Sequence, residues 1–488
     1  MKLSISQSIT GCPDAVIRFV AAKKPLTFSD HELSQVYLDF FADDKILLEH
    51  KQIRSIRLLF HGGFTTLLLA GFDSAVSAPF DAFREVLAKL GTELNRLKIQ
   101  TVVLERFSEV TFAAEQELLE QAACTLPLCE YTFDRYLSKK AARREYQITV
   151  LANPEYQDAL AEGKSLAESV CTARDLVNEM ADIMTPEELA LRCQKLGEEK
   201  GFSVKVLDVE DCEKAGMGLF LAVSKGSSLK PRLIVMSWNG GEMDQPPLGF
   251  VGKGITYDSG GLAIKTSGME SMRFDMNGAA AVIGAMCSIA EQKLPYNVVG
   301  VVAACENMVD ANSYRNGDVI RSMSGKTVFV RNTDAEGRLT MADAMTWCIR
   351  NCHPSELIEV AGLTGSVCSF YGDICAAALT ADQDMFERVR QLQPLTGEKI
   401  AQMPYFEEYR ELLKSPWADL NNSPANGPGG ILAGFFLDSF REEVPFLHID
   451  FGAMPFTKKT SDGQPEGATG FGVKTLYYYA KHRCMTKR

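Results

Sequence analysis

Along most of its length the chain alternates short apolar runs with longer stretches in which apolar residues recur every three or four positions. The first pattern suits a strand buried on both faces, the second a helix lying on a sheet. In the first third, Ser55–Phe60 and Thr65–Ala70 are apolar runs of strand length, broken by His61-Gly62-Gly63. Pro79–Leu97 has helical spacing, with Phe80, Phe83, Val86, Leu87 and Leu90 on one side. Gln100–Leu104 reads as a strand, Phe112–Leu137 as a helix interrupted at Pro127, and Tyr146–Leu151 as another strand. This βα alternation predicts an α/β sandwich. A histidine packed at a strand end is the better reading of His61 than a catalytic one.

Asn153–Glu162 is polar and reads as a connection, followed by a helix over Lys164–Met184. Thr185 is placed to cap a further helix with Pro186 at its first position. A domain boundary is therefore expected near residue 160, separating an N-terminal α/β domain (1–160) from a second domain (161–488). Expected strands in the second are Ser203–Asp208, Leu233–Trp238, Leu248–Gly252, Asn297–Ala304, Leu357–Ala361 and Leu447–Asp450. Expected helices are Pro186–Lys200, Gly278–Lys293, Gly337–Asn351 and Met385–Gln393. The fold class is thus α/β in two domains, the C-terminal one a mixed sheet sandwiched between helices. Asn426–Gly430 is glycine-rich and reads as a flexible rim.

Composition narrows the function classes. Hydrophobic residues make up 46% and charged residues 23%, ordinary for a globular protein. The net charge of −12 repels phosphate backbones, which disfavours nucleic acid as a partner. Gly278–Ala290 is apolar but too short to span a bilayer, so it reads as a buried helix and no membrane is expected. Met1–Gly11 has one lysine and no long apolar core, unlike a secretory signal. The 13 cysteines are odd in number and lack CxxC spacing. Cys348 and Cys352 read as small apolar residues sharing a helix face. A reducing cytoplasm is the expected compartment. With only 6 histidines, a metal site here would draw on other ligands.

Three segments concentrate polar groups at strand ends, where open α/β sheets gather their chemistry. In Val251–Lys265, Lys253 and Asp258 lie in a glycine-rich stretch after an apolar run, without the spacing of a phosphate loop. Asp275 precedes the apolar helix, where alone it would read as a helix-terminal carboxylate. Asn332–Leu339 sets Asp334, Glu336 and Arg338 within five residues, more than one helix cap needs. Four carboxylates in one pocket would repel strongly without cations. Divalent ions resolve this, and two of them with oxygen-rich ligands make a hydrolytic site. A lysine could join as a ligand only as a neutral amine; a second, protonated one could stabilise an oxyanion.

Asn332–Leu339, NTDAEGRL, resembles the signature octapeptide of the leucyl aminopeptidases, the M17 metallopeptidases. VGKGITYDSGG with Lys265, and MRFDMNGAAAV, resemble that family's other motifs, in the same order. The resemblance runs from about residue 165 to the C-terminus, from ARDLVNEM at Ala173–Met180 to GATGFGV at Gly467–Val473. It implies a metal-dependent aminopeptidase that removes the N-terminal amino acid from short peptides using two divalent ions, zinc or manganese. By that resemblance Lys253, Asp258, Asp275 and Glu336 bind the tighter metal. Asp258, Asp334 and Glu336 bind the exchangeable one. Lys265 stabilises the tetrahedral intermediate, and Arg338 holds a bicarbonate that accepts the proton of the attacking water. Met272, Gly362 and Leu363 border the substrate pocket. The family assembly is a homohexamer, and the N-terminal domain would serve oligomerisation or regulation. Where the family reads ATLTG, this chain has Ala361-Gly362-Leu363-Thr364-Gly365, which predicts an enlarged first pocket. Three rival readings are a catalytically silent structural member of the fold, a nucleic-acid-binding member, and a hydrolase of another substrate such as a cysteinyl-glycine dipeptide.

Overall fold

The computed structural model describes residues 1–21, 28–35, 48–140, 146–458, 460–461 and 463–485, and they form two units. One is Met1–Glu168 with Lys459–Pro465, the other Ser169–Lys458 with Glu466–Arg488.

In the first unit six strands among the described residues make one sheet: β1 (Lys2–Ser6), β2 (Ala15–Ala21), β3 (Ile53–Phe60), β4 (Gly63–Phe72), β5 (Thr101–Leu104) and β6 (Gln147–Leu151). Their order is β1-β6-β5-β2-β4-β3, parallel apart from the β3–β4 hairpin. The reading above did not foresee β1 and β2, although β2 is an almost wholly buried apolar strand. Helix α1 (Pro79–Leu97) has its expected bounds and buries Phe83, Val86, Leu87 and Leu90. Helix α2 (Glu115–Leu128) is shorter than predicted. It starts where Glu117 accepts a hydrogen bond from the Ala114 N–H (3.1 Å), and it stops just past Pro127, where the apolar stripe runs out. His61 sits in the β3–β4 turn and is exposed rather than packed, its ring stacked on Phe60 with Nδ1 2.9 Å from the Gly11 carbonyl and Nε2 3.3 Å from Glu32.

Helix α3 (Gln157–Asn178) corrects the expected connection. Asn153 accepts from the Glu155 N–H (3.1 Å) and caps a short 3-10 turn that runs straight into it. Buried Ala159 and Leu160 give the first turn an apolar face that overall polarity hid. The helix crosses the division between the units and ends before Met184. Helix α4 (Pro186–Lys200) is capped as predicted, Thr185 Oγ1 accepting from the Glu188 N–H at 3.1 Å. Two short helices, α5 (Val209–Ala215) and α6 (Gly218–Ser224), were not foreseen.

The second unit is built on an eight-stranded sheet. Its strands are β7 (Ser203–Leu207), β8 (Arg232–Asn239), β9 (Leu248–Asp258), β10 (Asn297–Asn307), β13 (Glu356–Ala361), β14 (Ala376–Leu379), β15 (Ile400–Gln402) and β17 (Phe446–Asp450). A separate ribbon joins β11 (Val319–Arg321), β12 (Thr327–Phe329) and β16 (Leu420–Asn421). The large sheet runs β15-β14-β17-β13-β9-β10-β8-β7. The central strands β17, β13, β9 and β10 are parallel, while β8 and β14 pair antiparallel to them. It is the mixed sheet expected.

Helices cover the sheet. On one side α7 (Asn277–Glu291) packs on β9, β10 and β13, with α4 and α12 (Val473–Met485) against it. On the other, α8 (Gly337–Cys352) packs on the same strands beside α6 and α11 (Gly429–Asp438). Strand alternation shows in β9: a Cβ at Gly252 would meet Gly278 of α7, while the Lys253 side chain runs against Gly337 of α8. In chain order α9 (Gly365–Tyr371) and α10 (Gln383–Thr396) come between α8 and α11; α9 packs against α11, and α10 packs against α12 on the first side. The apolar helix α7 is buried along almost its whole length. Ile283 and Ile289 there are fully buried and contribute about 1.5–3 kcal/mol each. No helix among the described residues is long and apolar enough to cross a membrane. Cys348 and Cys352 share α8 and form no disulfide. The glycine-rich Asn426–Gly430 is not simply a rim: Gly429 and Gly430 open α11, and Gly430 lies against Val367 with no room for a larger residue.

Asp343 ties α6 and the Met323 loop to α8 within one helical layer. Its fully buried carboxylate accepts from the Leu219 (2.8 Å) and Phe220 (3.0 Å) N–H groups of α6 and from the Met323 N–H (2.8 Å). Asp343→Asn puts an amide donor where a carboxylate oxygen accepted, and so strands at least one buried N–H. The expected cost is about 1–3 kcal/mol, read as a lower urea midpoint than wild type.

Candidate metal centre

The carboxyl end of β9 carries the first two groups. Lys253 projects from within the strand, and Gly337 opposite it leaves the space it needs: a Cβ at 337 would come within 2.4 Å of Lys253 Cε. Asp258 is the last residue of β9, after which Gly260 and Gly261 turn the chain through positive φ. The turn is closed by the Lys265 N–H donating to the Ser259 carbonyl at 2.9 Å. The chain then passes a 3-10 turn, Met269–Phe274, and Asp275 ends it just before α7 begins. Asp334 and Glu336 lie in the loop between β12 and α8. Parallel neighbours therefore bring to one end of the sheet groups far apart in the chain.

The side chains meet in two overlapping clusters. Lys253 Nζ lies 2.6 Å from Asp275 Oδ2 and 3.0 Å from Glu336 Oε1, and 3.5 Å from the Gly362 carbonyl. Lys265 Nζ lies 2.8 Å from Asp258 Oδ2 and also pairs closely with Asp334. Oxygens of Asp258, Asp334 and Glu336 all fall within 4.8 Å of one another, close enough to share a cation. Four carboxylates face two ammonium groups here, a shortfall of two positive charges.

The electrostatics follow from that crowding. Burial, then the charges of Glu336 and Asp258, hold the Asp275 carboxyl well above the usual range despite Lys253. Burial, then Asp258, pushes Glu336 up, and burial raises Asp334 although Lys265 pulls it down. Burial works against the Lys253 charge, yet Asp275, Glu336 and Asp258 more than offset it, and its ammonium is held above its ordinary value. Lys265 is raised likewise, mainly by Asp258 against burial.

Two residues that sequence reasoning missed fix this arrangement. Asn307, the last residue of β10, donates from Nδ2 to Asp258 Oδ1 (2.8 Å) and to the Thr333 carbonyl (3.0 Å). Asn422 is fully buried and staples the Asn332–Ala335 loop. Its Nδ2 donates to the Asn332 carbonyl (2.7 Å), and its Oδ1 accepts from the Arg331 N–H (2.9 Å). The Asn422 carbonyl in turn accepts from Arg338 Nη1 at 2.8 Å. Asn307 carried a weak signal, ending an apolar run with a polar pair. Asn422 carried none, since its partners lie some 90 residues upstream.

Arg338 stands in the first turn of α8 with its guanidinium buried. Burial lowers it to about 10, against Glu336 and Asp450, so it stays charged at neutral pH. The pocket candidates are placed less directly. Met272 lies in the 3-10 turn, its carbonyl accepting from the Asp275 N–H (3.3 Å). The Leu363 N–H donates to Asp450 Oδ1 at 3.0 Å, and Thr364 Oγ1 to Asp450 Oδ2 at 2.7 Å. Gly362 departs from the expectation of free volume, because the Asn277 side chain already stands where a side chain at 362 would project.

The donor set fits a divalent ion. Among the described residues Glu336 Oε2 is buried with no hydrogen-bond partner, as is Asn307 Oδ1, so acceptor capacity is left over where the carboxylates converge. Added Mn²⁺ or Zn²⁺ is expected to raise the thermal midpoint of chelator-stripped protein. At a hundred times Kd the gain is about 2.7 kcal/mol. Asp258→Asn should abolish most of the rise in differential scanning fluorimetry.

Comparison with known proteins follows the same geometry. Residues 171–477 match the profile described as cytosol aminopeptidase family, catalytic domain, and residues 22–140 match that family's N-terminal domain. A probable cytosol aminopeptidase of Clostridium perfringens is 42% identical over 86% of this chain and 86% of its own length. One from Clostridium tetani is 38% identical over 85% of this chain and 87% of its own. Among solved structures, the bottromycin maturation enzyme BotP in complex with Mn superposes with a TM-score of 0.86. It is 28% identical, over 97% of this chain and 100% of that one.

Proposed function

The chain belongs to the cytosol aminopeptidase family, and on that premise we propose that it removes the N-terminal amino acid from short peptides with two divalent metal ions. The observation that carries this reading is the convergence of Asp258, Asp334 and Glu336 within 4.8 Å, with Lys253 and Asp275 beside them. Lys253, Asp258, Asp275 and Glu336 would hold the tighter ion, and Asp258, Asp334 and Glu336 the exchangeable one. Zinc and manganese both suit such ligands. Bound there, the ions supply Lewis acidity for the peptide carbonyl and a water nucleophile at neutral pH.

The protein's own groups do the rest. Lys253 can ligate only by giving up the proton that its pairs with Asp275 and Glu336 now favour. Lys265 carries a positive charge on the far side of Asp258 and would stabilise the oxyanion of the tetrahedral intermediate. Asp275 would accept a hydrogen bond from the substrate's free amine, which restricts cleavage to the first residue. Arg338 offers a buried Nε with no hydrogen-bond partner, suited to a bicarbonate that takes the proton of the attacking water. A positioned base contributes about 10²–10⁴-fold. Met272, Gly362 and Leu363 would border the side-chain pocket. A cytoplasmic homohexamer is the assembly and place that family membership supports.

The test is hydrolysis of aminoacyl-4-nitroanilides by chelated and metal-restored protein. Wild type should recover activity with Mn²⁺ or Zn²⁺ and Glu336→Ala should not. Lys265→Ala should lose about 10²–10³ in kcat while retaining the metals. Folded, metal-loaded wild type that cleaves no free-amine substrate would leave a binding or structural role in its place.

A further inference from the structure

Asn277 links two of the segments proposed to border the substrate pocket, the 3-10 turn ending at Phe274 and the turn at Gly362. It opens α7 two residues after Asp275 and is half-buried. Its Oδ1 accepts from the Gly362 N–H at 3.0 Å, and its Nδ2 donates to the Phe274 carbonyl at 2.7 Å. Both partners are backbone groups, one a donor and one an acceptor, so the orientation of the carboxamide is fixed. The carboxamide also fills the position a side chain at 362 would take. A Cβ there would lie 2.8 Å from Nδ2 and 3.3 Å from Oδ1. On its other side the Gly362 peptide meets Lys253, whose Nζ is 3.5 Å from its carbonyl. Gly362 is therefore clamped between a proposed metal ligand and Asn277. The volume released by a glycine has been returned as a polar group carried on a different element.

A carboxamide has two N–H groups and an oxygen with two lone pairs. Asn277 commits one of each to the Gly362 and Phe274 backbone groups and is half-buried, so one N–H and one lone pair remain to be satisfied by water or by an incoming group. We propose that Asn277 determines specificity in the pocket for the substrate's N-terminal side chain, favouring short or hydrogen-bonding residues such as Ala and Ser over Leu. This rests on the aminopeptidase reading, since it assigns the chemistry of one wall of that site. An apolar isobutyl group against the carboxamide would leave its open polar atoms unpaired, whereas a hydroxyl or a small side chain would not.

The experiment compares wild type, Asn277→Ala, Gly362→Ala and the double variant, each loaded with Mn²⁺. Removing the carboxamide is expected to raise the Leu-to-Ser ratio of kcat/KM about tenfold, chiefly through KM for the leucyl substrate. Gly362→Ala should lower the thermal midpoint when Asn277 is present, and the loss should largely vanish when Asn277→Ala is combined with it. A substrate ratio unchanged in active Asn277→Ala overturns the specificity role, as does an equal thermal cost of Gly362→Ala in both backgrounds. If Asn277→Ala does not fold, Asn277→Ser, shorter but still polar, carries the same expectation at reduced size. If wild type cleaves no aminoacyl substrate at all, the aminopeptidase reading fails and the specificity role with it. The thermal cycle then still reports whether the carboxamide fills the space at 362.

Discussion

Mutual repulsion among four crowded carboxylates, two of them buried and two half-buried, is the constraint from which the second unit can be understood. Asp258, Asp275, Asp334 and Glu336 come from three separate segments, and burial together with neighbouring carboxylates raises Asp275, Asp334 and Glu336. A cluster like this persists only if the backbone leaves it no alternative and if cations are on hand. Lys253 and Lys265 are such cations, each pairing two carboxylates. They balance only half of the formal negative charge, and the remainder is what a bound cation would neutralise.

The backbone side of that bargain is met by strand order. Parallel β9, β10 and β13 end at the same edge, so Asp258, Asn307 and the Gly362 turn arrive there together. Hydrogen bonds then remove the remaining freedom. Asn307 orients Asp258, Asn422 fixes the loop that bears Asp334 and Glu336, and Asp450 fixes the turn after Gly362. None of these three is a proposed ligand, yet Asn307 and Asn422 touch the pieces of chain that present ligands, and Asp450 holds the turn that would border the substrate pocket. The geometry of the ligands is thus set by amide and carboxylate groups behind them.

Much of this could be read from the sequence because it was local. Strand-length apolar runs, the Thr185-Pro186 cap and the buried helix at Gly278 announce themselves within a few residues. The clustered charges of Asn332–Leu339 do the same. The failures were of two kinds. Short elements with a weak period, such as β1, α5 and α6, lie below what periodicity resolves, and the start of α3 was masked by polar residues on its outer face. The second kind was long-range. Nothing near Asn422 points to a loop ninety residues earlier, and nothing near Gly362 says that Asn277 fills the gap beside it. A missing side chain is visible in one dimension; what occupies its place is visible only in three.

The assignment of Lys459–Pro465 to the first unit has a consequence for how this chain can be dissected or rebuilt. The polypeptide passes between the units three times, after Glu168, after Lys458 and after Pro465. A fragment ending at Glu168 therefore lacks a piece of its own unit, and the complementary fragment carries a stretch native to the other. Neither unit is a portable cassette. Shuffling this N-terminal unit onto another catalytic unit by one recombination event would carry over an incomplete part, because Lys459–Pro465 would stay behind.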